Sequence, residues 1–183
     1  MTRPPLAALS ALLAALALAP LPACGGAGAL GAGADSTEEH PLVGVQAPDF
    51  ELPLESGGSG SVTLSALSGK VVLVDFWATW CKPCKASFPE YQRLQAQHPE
   101  DFVVVAVSVD EQREGIAGFA RDTGAKFLVA WDDGQAVSKA WSPATMPTAY
   151  LIDRAGVVRH VHAGFRDGDA AKIAARVDAL LAE

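Results

Sequence analysis

A nearly unbroken apolar run from Lys70 to Trp77 stops four residues short of Cys81-Lys82-Pro83-Cys84. Apolar residues without alternation predict a central strand covered on both faces. A helix is predicted from 81 to 97, with Pro89 inside it, where a proline removes a hydrogen bond and bends the axis. Strand, turn and helix together bring two cysteines to a helix N-terminus, where free N–H groups and the helix dipole favour a thiolate. A C-x-x-C pair held there can close into a disulfide and exchange it with another protein. Metal ligation and inert burial are the competing readings. Haem attachment is excluded, because Lys85 rather than histidine follows Cys84.

The rest of the chain alternates strands with helices. Residues 50–54 and 62–64 are predicted as a hairpin around the loose loop Gly57-Gly58-Ser59-Gly60-Ser61. Residues 102–109 form a second buried strand, 111–123 a helix, 126–131 a strand and 135–141 a short helix, with a turn at Asp132-Asp133-Gly134. A hairpin over 150–162 and an amphipathic helix over 169–182, striped by Ile173, Val177, Leu180 and Leu181, close the chain. This order implies an α/β fold with a mixed central sheet and helices on both faces.

Half of the 183 residues are hydrophobic, which suits one domain plus short extras. A net charge of −7 with no basic stripe argues against a nucleic-acid partner. At the N-terminus, Arg3 precedes an apolar stretch from Leu6 to Leu21, too short for a membrane span but suited to a signal peptide over residues 1–23. Leu21-Pro22-Ala23-Cys24 resembles a bacterial lipobox, which implies cleavage before Cys24 and acylation of its sulfur. Ordinary secretory cleavage after Ala34 is the competing reading. Residues 24–41 are Gly/Ala-rich and then polar, and read as a flexible tether to the folded domain at 42–183. With three cysteines, one for lipid and two for a redox pair, none remains for a structural disulfide or a four-ligand zinc site.

The segment from Val74 to Cys84 resembles the active-site segment of the thioredoxin superfamily. Ala47-Pro48-Asp49-Phe50, Leu67-Ser68-Gly69-Lys70-Val71 and Met146-Pro147-Thr148-Ala149-Tyr150 follow the pattern of its extracytoplasmic, membrane-tethered TlpA/ResA-like branch. The resemblance covers roughly residues 43–183. It implies a thioredoxin-like fold with an N-terminal hairpin and a central strand-helix insertion. It implies that Cys81 attacks and Cys84 resolves, and that the pair is its own redox centre with no added cofactor. Trp80, Lys82, Pro83 and Met146 would meet the substrate, and Pro147 would be the cis-proline facing the dithiol; an ordinary trans proline is the alternative.

Asp75 matches the buried aspartate that assists proton transfer at the second cysteine. The lysine that accompanies it in thioredoxin is absent, the comparable place on the next strand being Ala106. A buried carboxylate without a counter-charge titrates high; a solvated edge position is the alternative. Ser87 stands where many cytochrome-maturation members carry glutamate, which counts against a specific role in cytochrome c maturation. His160 and His162 share a strand face, read as solvated, with metal ligation as the other reading. Trp131 and Trp141 read as core or pocket-rim aromatics.

The implied function is an extracytoplasmic thiol–disulfide oxidoreductase that reduces protein disulfides. Its expected partners are protein substrates, a membrane thiol–disulfide protein that recharges it, and the membrane itself through the lipid anchor, with the protein a monomer. Lys82-Pro83 places proline before Cys84 as in thioredoxin and lacks the histidine of strong oxidants such as DsbA, so the potential is expected below roughly −200 mV. A peroxiredoxin-like peroxidase is disfavoured by Val74 and Ala78, which stand where its motif needs proline and threonine. A copper carrier on the same fold is disfavoured by the two-residue cysteine spacing.

Overall fold

The computed structural model describes residues 1–2 and 40–183. The predicted signal peptide beyond Thr2, Cys24 and the tether as far as Glu39 lie outside the described residues. Among those described, no helix is long and apolar enough to cross a membrane.

The chain runs β1 (Glu51–Ser56), β2 (Ser61–Thr63), β3 (Val71–Trp77), α1 (Cys84–Gln97), β4 (Phe102–Ser108), α2 (Ile116–Asp122), β5 (Leu128–Trp131), α3 (Ala136–Trp141), β6 (Thr148–Ile152), β7 (Val158–Ala163) and α4 (Asp169–Leu181). The strands form one mixed sheet in the order β2-β1-β5-β4-β3-β6-β7. Parallel pairing joins β3 to β4 and β4 to β5, while β1, β6 and β7 pair antiparallel. The predicted N-terminal hairpin is therefore no appendage: β1 extends the sheet from β5.

Every residue of β3 is buried, as its continuous apolar run requires. Side chains alternate along it. Phe76 meets Trp141 and Tyr150 at 5.6 and 5.7 Å on one face. Trp77 meets Phe88 and Phe119 at 4.7 and 4.5 Å on the other. Trp141 is thus core, whereas Trp131 is half-buried and donates its indole N–H to the Asp110 carbonyl.

Four expectations shift. The helix predicted from Cys81 begins at Cys84, because Cys81 closes a turn onto Ala78 and the Cys84 N–H donates to Cys81 Sγ. Pro89 stays inside α1 as predicted. The helix predicted from Glu111 begins only at Ile116. Gly115 adopts φ 91°, a left-handed conformation that breaks the helix, and Arg113 is drawn to Glu55 at 2.8 Å. His40, placed by its sequence in the tether, packs edge-on against Tyr150, its Nε2 3.3 Å from that hydroxyl. The face of β7 read as solvated is covered at His162 by α4. His162 is buried, with Nε2 3.1 Å from Asp169 Oδ2, and His160 is half-buried.

Candidate active site

The end of β3 and the start of α1 build the site. Cys81 and Cys84 are joined in a disulfide, their Cα atoms 5.4 Å apart. The Cys84 N–H, the first of the helix, donates to Cys81 Sγ at 3.3 Å. A sulfur that accepts a helix-start N–H at the positive end of the dipole is stabilised as a thiolate once the disulfide opens. Cys84 is fully buried, and Cys81 retains 3 % of its surface.

The turn that carries Cys81 is pinned from β4. The Asp110 carboxylate accepts the Thr79 N–H at 2.9 Å, the Thr79 hydroxyl at 2.8 Å and the Ser108 hydroxyl at 2.7 Å. Trp80, the next residue, points outward and is 70 % exposed. An open cleft of about 350 Å³ beside it is lined by Thr79, Trp80, Asp110, Glu111 and Glu114. Lys82 is exposed and Pro83 half-buried.

Strand register brings the proline loop to the same end of the sheet. Phe76 pairs with Thr148, so continuing the ladder sets Pro147 opposite Trp77. The Met146–Pro147 bond is cis. Pro147 is buried and its carbonyl accepts the Gly164 N–H at 2.7 Å, while Met146 is half-buried against the core. A cavity of about 330 Å³ lined by Asp49, Leu64, Lys70, Val72 and Asp153 lies at the opposite end of β3, away from this chemistry.

Asp75 lies inside, with no exposed surface. Its register partners are Ala106 and Ala149, so the sheet offers it no counter-charge. Burial pushes its carboxyl well above the ordinary range, and a hydrogen bond from Tyr91 offsets only part of that. The Tyr91 hydroxyl reaches Oδ1 at 3.5 Å; Oδ2 has no hydrogen-bond partner among the described residues. Burial, and then the Asp75 charge, raise the Tyr91 phenol well above its usual value, so it remains a donor. Ser87, wholly buried, donates to the Cys84 carbonyl at 3.2 Å.

Every expected site residue except Cys24 is thus on or just beneath one end of the sheet. Sequence reasoning missed Asp110, Thr79 and Tyr91. Tyr91 was within reach: Cys84, Ser87 and Tyr91 stand at i, i+3 and i+7, one face of a helix. Asp110 follows its strand with no local signal of where its carboxylate turns. Among the described residues no group of three His, Cys, Asp or Glu side chains is placed to hold a metal.

A buried disulfide at a helix start, with a cis-proline and a buried carboxyl toward the same end of the sheet, is the arrangement of a thiol–disulfide exchanger. The Redoxin family profile matches residues 42–177. The chain belongs to the Redoxin family. This redoxin is 36% identical over 124 residues to the thioredoxin-like protein YneN of Bacillus subtilis (strain 168), covering 66% of this chain and 71% of YneN. It is 36% identical over 137 residues to thiol-disulfide oxidoreductase ResA of the same organism, covering 73% and 72%. Among solved structures, a protein of Chlorobium tepidum named for thiol:disulfide interchange protein DsbE superimposes with a TM-score of 0.70 at 39% identity, over 74% of this chain and 95% of that one. The redoxin is a ResA-like member of the thioredoxin superfamily and a thiol–disulfide oxidoreductase.

Proposed function

We infer that this redoxin reduces protein disulfides outside the cytoplasm through Cys81 and Cys84. The observation that carries the reading is the sulfur of Cys81 at the start of α1, accepting the Cys84 N–H, beside an exposed Trp80.

In the reduced protein the Cys81 thiolate attacks a substrate disulfide. One substrate sulfur leaves as a thiolate and the other stays bonded to Cys81. Asp75 takes the proton from Cys84, whose sulfur then displaces the second substrate sulfur and closes the Cys81–Cys84 bond. The substrate gains two electrons and the enzyme loses them. Trp80, Lys82, Pro83 and the Met146 backbone beside Pro147 receive the extended substrate segment. The cleft at Trp80 gives such a segment room.

Lys82-Pro83 supplies no histidine to stabilise the reduced form, which favours reduction of substrates. Acylation of Cys24 would anchor the protein to a membrane on its extracytoplasmic side, as a monomer recharged by a membrane thiol–disulfide protein. Secretion without the lipid is the other form this reading allows. Ser87 in place of glutamate favours protein disulfides in general over apocytochrome c.

A redox titration is expected to give a potential below roughly −200 mV, and a Cys84→Ser variant to accumulate substrate proteins as mixed disulfides on Cys81. A potential above about −150 mV, or capture through position 84 in a Cys81→Ser variant instead, would overturn the assignment.

A further inference from the structure

Beneath the dithiol a polar seam runs along the buried face of α1. Ser87 donates to the Cys84 carbonyl, and one turn further along the same face the Tyr91 hydroxyl meets Asp75. Ala106 and Ala149 flank Asp75 in the sheet, and Phe165 packs edge-on against the Tyr91 ring at 6.0 Å. The ionisable groups of the neighbouring elements are Arg159, His160 and His162 on β7 and Asp169, Lys172, Arg176 and Asp178 on α4. Asp169 is already engaged by His162, Lys172 and the Arg166 N–H. The hydrogen bond that reaches the Asp75 carboxyl from the described residues is the one from Tyr91.

The geometry points to Tyr91 as a positioning residue for proton transfer: its hydroxyl orients the Asp75 carboxyl and stabilises the carboxylate that must accept the Cys84 proton. At 3.5 Å the contact is long for an O–H···O bond. A bond from O–H to a carboxylate is shorter, about 2.5–2.7 Å, and about twice as strong as a neutral one. The contact therefore strengthens when Asp75 ionises, which is the state that receives the proton. The inference rests on the proposed dithiol mechanism.

The test uses the reduced full chain in detergent with Ellman's reagent, 5,5′-dithiobis(2-nitrobenzoate). Cys81 releases the first nitrothiobenzoate on attack, and Cys84 releases the second on resolution. In Tyr91→Phe the first phase is expected to be unchanged. The second should be about three- to ten-fold slower below its midpoint, with the midpoint displaced to higher pH. In an Asp75→Asn background the same substitution should change nothing. Site-specific replacement of Tyr91 by 3-fluorotyrosine keeps the packing but strengthens the donor, and should move the midpoint to lower pH. Equal slowing of both phases, the same slowing without Asp75, or a fluorotyrosine protein with an unmoved midpoint would overturn the role. If the wild-type protein releases only the first thiolate, the dithiol mechanism itself fails and this role falls with it.

Discussion

Asp110 accepts hydrogen bonds from the Thr79 N–H, the Thr79 hydroxyl and the Ser108 hydroxyl. It does no sulfur chemistry, but it fixes the turn on which Trp80 and Cys81 stand. Asp110→Ala would leave buried donors without an acceptor, at about 1–3 kcal/mol for each one stranded. A lowered thermal midpoint together with slower attack by Cys81 is expected. A variant as stable and as fast as the wild type would show that the turn holds itself. Asp75 presents the opposite case: a carboxyl with one long hydrogen bond among the described residues, whose burial costs stability.

At the scale of elements, short helices depend on partners outside themselves. The six residues of α3 are too few to be stable alone. Asp132, a buried residue before the helix, accepts the N–H groups of Val137 and Ser138 at 3.1 and 2.7 Å. That holds the first turn and sets Trp141 against Phe50, Phe76 and Tyr150. Asp132→Ala should cost about 1 kcal/mol, in the range of a lost helix cap, and appear as a lower urea midpoint with unchanged slope. An unaltered midpoint would mean that Trp141 packing alone fixes α3. Long elements were easier to read from sequence: β3, β4, α1 and α4 all lie within three residues of their predicted ends. The error at α2 was larger because Glu111–Glu114 are ordinary helix formers, and only the Gly115 backbone and the distant Glu55 keep them out of the helix.

For the whole molecule, Asp75 gives stability a pH dependence whose sign follows from burial. Its folded pKa lies well above the unfolded value of about 3.9. Below pH 4 both states hold the proton and the group is neutral in its effect. As pH rises, the unfolded chain gives the proton up first, so stability falls until the folded pKa is passed. The loss is about 1.4 kcal/mol for each unit of elevation. Asp75→Asn should therefore melt higher than the wild type at neutral pH, by about 2–4 °C per kcal/mol recovered, with the gap closing below pH 4. Calorimetry across pH 3–8 that finds a constant gap would show that the carboxyl is not the cause.

The α/β architecture, the redox pair and the candidate aspartate were legible in the sequence because each follows from local pattern. Apolar runs mark buried strands, period 3.6 marks helix faces, and C-x-x-C at a strand–helix seam marks a dithiol. The missing lysine was readable only through the resemblance to thioredoxin, and the strand register sets Ala106 beside Asp75. Tertiary structure alone decided which distant groups meet. It turned Asp110 onto Thr79, laid Tyr91 against Asp75, folded α4 over His162 and drew His40 onto Tyr150. Those contacts join elements 16 to 110 positions apart in the chain, apart from His162 and Asp169, which meet across the turn between β7 and α4. Local propensity says nothing about them. They are fixed by the packing of helices on a sheet and by the need of each buried polar group for a partner.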